Sequence, residues 1–170
     1  MNVPFWALTL AYWLHMLATV AWMGGLAALT ILVLPAARKA LAAPAYLAFL
    51  GEVQRRLDPL AWFCLALLGG TGLLQMSASP NYQGFLAIQG RWATAILLKH
   101  LVFLGMAGLS AYLSWGLLPR LRRLALLQAR GRKVDEREAS GLQQQEAWLL
   151  RLNLFLGVLV LALTAVARAA

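Results

Sequence analysis

Acidic residues are scarce in this chain: six Asp and Glu stand against fifteen Lys and Arg in 170 residues, a formal net charge of +9. Histidine occurs twice, at His15 and His100, and cysteine once, at Cys64. A single cysteine excludes an intrachain disulfide and a multi-cysteine metal site. No acid or second cysteine accompanies the histidines, so a three-ligand zinc centre is not expected. No carboxylate falls deep inside an apolar run, where a proton-coupled transporter needs one. Charged residues of both signs make up only 12% of the chain, while 62% is apolar and the mean hydropathy is +0.70. A soluble core does not need that much apolar surface, so the class is integral membrane protein, one domain over residues 1–170 by length. The basic surplus flanks apolar runs, where it sets orientation and meets lipid headgroups, so no nucleic-acid partner is expected.

The expected architecture is all-α, an integral membrane four-helix bundle, with spans at about 5–34, 59–76, 92–118 and 147–167. The first apolar run is too long for a cleavable signal peptide and lacks a basic leader. An amphipathic piece, Ala43 to Leu57, precedes span two. Asp58-Pro59 reads as an N-cap followed by proline at the first helical position, which places the start of that span there. Ser77 to Gly90 is a turn-rich, uncharged connection. Arg120 to Glu146 is a long polar segment, helical over Arg120 to Arg130, with a solvated KVDERE centre and QQQ run. No internal repeat is visible in the sequence.

Orientation follows from counting. The segments 36–57 and 120–146, with Arg151, hold twelve of the fifteen Lys and Arg. The positive-inside rule then predicts an N-out/C-out protein of the inner membrane, with a long basic cytoplasmic loop between spans three and four. All six acids fall on the cytoplasmic side, and Arg91, Lys99 and Arg168 are left alone on the other.

That outer half carries the expected chemistry. His15 lies about ten residues and His100 about eight below the outer ends of spans one and three, roughly 12–15 Å down two parallel helices. Two histidines at matched depth in a four-helix bundle suit the axial clamping of one haem iron. Gly69, Gly70 and Gly72 of span two fall near the same depth and admit a close approach by a macrocycle or by another backbone. Arg91 and Lys99 are the candidate partners for haem propionates. Met16, Met23, Met76 and Met106 offer soft thioethers for a copper path, although they form no MxM or MxxM cluster.

The stretch WLHMLATVAWMGGL, with His15 seven residues before Trp22, resembles the CopD-like (copper resistance protein D) membrane superfamily. The stretch from Gly70 to Leu124 shares that likeness. The HemJ-type haem-binding four-helix proteins share the superfamily's fold, and the resemblance implies a haem-binding bundle in which His15 corresponds to their span-one histidine. The run LPAARKAL departs from the HemJ pattern after span one, and CopD proper is longer. The expectation is therefore a membrane b-type cytochrome holding haem b between His15 and His100, transferring electrons between a quinone-type carrier and an outer-side redox protein. The alternatives are a haem-dependent oxidase of HemJ type and a copper transport or resistance protein of CopD type. Assembly as a homo-oligomer or as a subunit of a larger complex stays open.

Overall fold

The structure, a computed structural model, describes residues 3–82, 84, 90–132 and 135–169. Four long helices carry it: α1 (Phe5–Ala40), α2 (Ala43–Ser77), α3 (Gly90–Gln128) and α4 (Glu136–Ala169). Each contains a stretch long and apolar enough to cross a membrane. Gln83 and residues 85–89 of the Ser77–Gly90 connection, and Lys133 and Val134 of the KVDERE stretch, lie outside the described residues.

α1 and α3 share an internal device. Each widens into a π-helical stretch, Ala28–Val33 and Tyr112–Leu117, just before a Leu-Pro pair, Leu34-Pro35 and Leu118-Pro119. Proline lacks an N–H, and its ring collides with the carbonyl four residues back. A π turn shifts that carbonyl, which lets both helices continue into their basic ends. The spans predicted to stop at these prolines therefore run on to Ala40 and Gln128. His15 and His100 precede the two prolines by 20 and 19 residues, so the helices correspond in layout although their sequences show no repeat.

Two further boundaries differ from expectation. α2 is one helix of 35 residues, with Pro59 inside it, and Asp58 does not cap a helix start. Its carboxylate instead accepts a hydrogen bond from the Ser114 hydroxyl of α3. α4 begins near Glu136, and Glu146, expected on a solvated segment, is fully buried. At 1.5 Å per residue α2 measures about 50 Å, longer than a hydrocarbon layer of about 30 Å. The ends of the helices must project beyond it.

The helices pack as two hairpins. α1 runs along α2 and α3 along α4; α2 also meets the basic end of α3, and α1 touches α4 over a shorter length. α1 and α3 thus stand diagonally across the bundle. One core cluster fills the basic end, around Leu26, Leu34, Leu50, Leu117 and Leu150. A second fills the middle, around Ala18, Trp22, Cys64, Leu65 and Met106. Large apolar side chains such as Trp6, Val20, Leu32, Phe63, Leu104 and Phe155 point outward. In water such a surface would drive association; in a bilayer it is the surface that meets the lipid. The protein is an all-α, multi-pass membrane bundle in a lipid environment.

Candidate functional site

At the end of the bundle away from the basic segments, His15 of α1 reaches α2. Its Nδ1 lies 2.8 Å from the Thr71 hydroxyl, and that hydroxyl spends its one hydrogen on the carbonyl of Leu67. With the Thr71 hydrogen directed at Leu67, His15 Nδ1 is the donor to Thr71 and Nε2 carries the lone pair. A histidine oriented in this way through its other nitrogen is set up as a metal ligand. His100 of α3 directs Nδ1 at the carbonyl of Ile96, one turn back on its own helix, at 2.7 Å. The two rings belong to diagonal helices and are held by different partners.

Gly69 receives the Phe103 ring, whose carbons stand 3.8 Å from where a Cβ would be. Gly72 receives His15 itself, with Cε1 at 3.5 Å, whereas Gly70 meets nothing within 4 Å. Two of the three glycines thus admit side chains of this chain. Lys99 and Arg168 lie within electrostatic reach of His15, and the Arg168 guanidinium stands 5.4 Å over the Tyr12 ring. Arg91 is exposed near the start of α3.

Deeper in the bundle the structure joins what the sequence keeps apart. Met23 of α1 and Met106 of α3 meet over Gly157 of α4: a Cβ at Gly157 would collide with the Met23 sulfur and would sit 3.5 Å from the Met106 methyl. Cys64 of α2 belongs to the same packed cluster. Two methionine side chains, from α1 and α3, thus meet where α4 has no side chain, and the buried Cys64 thiol of α2 lies in the core cluster around them. Soft sulfur donors of this kind suit Cu(I). Met16 is exposed on the outside of α1 and takes no part. Among the described residues no three His, Cys, Asp or Glu side chains gather into a metal-holding group.

Toward the basic end the helices are tied by polar side chains. The Gln54 amide donates to Glu146, the Asn153 amide donates to the Ser110 hydroxyl at 3.1 Å, and the Trp62 indole donates to Ser114 at 3.2 Å. Arg38 donates to the Tyr46 hydroxyl and to the Gln143 carbonyl at 2.7 Å, fastening α1 to α2 and α4. Beside these ties lies a cavity of about 120 Å³, bordered by Trp22, Gln54, Asp58, Trp62 and Asn153 among largely apolar neighbours. None of the seven residues singled out for haem (His15, His100, Gly69, Gly70, Gly72, Arg91, Lys99) lines it. The sequence reading missed Gln54, Ser110, Glu146 and Asn153. Polar pairs one turn apart, Gln54 with Asp58 and Ser110 with Ser114, together with the lone amide in LLRLNLFLG, were the available signal.

The sequence model for copper resistance protein D matches residues 51–167. The chain belongs to the copper resistance protein D family of membrane proteins. The matched stretch contains Cys64, His100, Met106 and Gly157, while His15 and Met23 lie ahead of it. No curated protein and no solved structure matches the chain.

Proposed function

We propose that this chain handles copper in the inner membrane, taking Cu(I) between its leaflets through the sulfur cluster Met23, Met106 and Cys64. The observation that carries this reading is the meeting of Met23 and Met106 over Gly157, in a core cluster that also holds the buried Cys64 thiol. Thioether and thiol sulfurs are soft, neutral or singly charged ligands, and few such donors bind Cu(I) firmly enough to admit it yet weakly enough to release it. His15 supports the reading as the receiving ligand. Its Nε2 lone pair lies two turns from Met23, about 12 Å along α1, on the outer side by the positive-inside count. Family membership favours copper over the other chemistries that the sequence allows.

Reconstitution tests this function. Proteoliposomes containing the protein should accumulate Cu(I), supplied with a reductant, faster than empty vesicles. Met106→Leu and Cys64→Ser should each slow that uptake at least several-fold. Uptake equal to that of empty vesicles would refute the passage of copper.

The cytochrome reading, one haem b held by His15 and His100 in electron transfer, draws support from the hydrogen bond that orients the His15 ring through Nδ1. A reduced-minus-oxidised spectrum of protein expressed with ample haem decides it: a low-spin b-type band lost in His15→Ala would establish haem, and a flat spectrum would remove it.

A further inference from the structure

We propose that the cavity between α1, α2, α3 and α4 is a binding site for a lipid-soluble, single-ring alcohol of the phenol or hydroquinone class. Its size, its mouth and its polar wall each point to that chemistry.

The volume, about 120 Å³, is close to that of engineered protein cavities that hold one benzene ring, roughly 150 Å³. Two indoles, Trp22 and Trp62, form part of its lining, and the Trp62 ring is held by stacking on Trp115 at a centroid distance of 5.0 Å. Flat aromatic walls favour a flat guest. Ala21 and Gly25 of α1 and Leu60 of α2 line the cavity and are also exposed. They lie within the membrane-crossing parts of their helices, so the mouth faces lipid and a guest arrives from the bilayer.

Part of the lining is polar and incompletely satisfied. Trp22, Gln54 and Asn153 all line the cavity, and each is at least nine-tenths buried. The Trp22 indole N–H, the Gln54 carbonyl oxygen and the Asn153 carbonyl oxygen have no hydrogen-bond partner among the described residues. Buried groups left in that state are costly, and native structures keep few of them. A hydrocarbon guest would leave all three unpaired. Water could pair with them but would wet walls that are mostly apolar. A ring hydroxyl donates to one amide oxygen and accepts from the indole N–H while its carbon frame covers the apolar wall. Cys64, one of the proposed copper ligands, also lines the cavity, whereas Met23 and Met106 do not, so the two readings are separated by testing the guest without copper.

The test uses the full-length, copper-free protein in nanodiscs. Binding of 3,5-dimethylphenol is compared with that of 1,3-dimethylbenzene, which differs by the hydroxyl, using equilibrium dialysis against protein-free discs. The phenol should bind saturably with about one site per chain, and the hydrocarbon should bind about tenfold more weakly, a ratio equivalent to one neutral hydrogen bond. Trp22→Phe, which keeps the ring and removes the N–H, and Asn153→Leu should each reduce phenol binding to the level of the hydrocarbon. A melting profile for Trp22→Phe confirms that the variant is folded. Equal partition of both probes into discs with and without protein would overturn the proposal and mean a cavity that takes neither probe; phenol binding unchanged in both variants would overturn it too, because the phenol would then bind without the Trp22 and Asn153 groups.

Discussion

Met23 and Met106 stand on diagonally opposed helices, yet their side chains meet over the bare backbone of Gly157. The contact closes the middle of the bundle and gathers two of its three core sulfurs. Gly157→Ala places a methyl group where the far end of the flexible Met23 side chain lies, so Met23 must turn aside. The variant should lose no more than about 1 kcal/mol of stability and should bind Cu(I) less well, because the Met23 sulfur is displaced. Gly108→Ala is the control, because a Cβ there meets nothing within 4 Å, and its melting point should not fall.

The Gln54–Glu146 pair predicts strong coupling between two residues 92 positions apart. Glu146 is 0% exposed, so truncating one partner strands the other in a buried site. Gln54→Leu alone and Glu146→Leu alone should each cost about 1–3 kcal/mol or more, whereas the double variant should cost less than the sum of the two. Chemical denaturation in mixed micelles measures the cycle; additive effects would show that the two residues act independently.

Thr71→Val keeps the shape of the side chain and removes the acceptor that holds His15 Nδ1. The change should cost about 1 kcal/mol in stability. It should also release the ring's tautomer, so that the ¹⁵N shifts of His15 move toward a mixture of Nδ1–H and Nε2–H forms. Unchanged shifts would mean that Thr71 does not orient the ring.

Asn153→Ala leaves the Ser110 hydroxyl without its α4 donor and opens space beside Leu150. The expected loss is about 1–3 kcal/mol, read as a lower melting point. Ser110→Ala should lose less, because it removes a smaller group and Ser110 also bonds the Met106 carbonyl of its own helix.

The helices and their number were legible because apolar runs of this length have few other uses. The Asp58-Pro59 boundary was misread for a local reason: the pair is a good helix start in isolation, but here Asp58 bonds across to Ser114 and the flanking helix carries through Pro59. His15 and His100 were legible as the chain's two histidines, each within an apolar run. Their partners, Thr71 and Ile96, were not, because side-chain direction depends on how the helices are rotated about their axes. The sulfur cluster was invisible for a different reason. Met23, Cys64 and Met106 come from three helices and share no spacing pattern, so only the packing of the bundle brings them together. Glu146 reads as part of a charged, glutamine-rich segment, and its burial comes from Gln54 on α2.

Copper binding by the purified protein tests the central claim most directly. Wild-type protein, titrated with Cu(I) under argon against a chromogenic bidentate chelator, should withdraw one Cu(I) per chain. A Met23→Leu, Met106→Leu, Cys64→Ser triple variant that melts like wild type should withdraw at least about a hundredfold less tightly, the loss expected when soft ligands are replaced by hydrocarbon and hydroxyl. Equal Cu(I) retention by the two proteins would contradict the account.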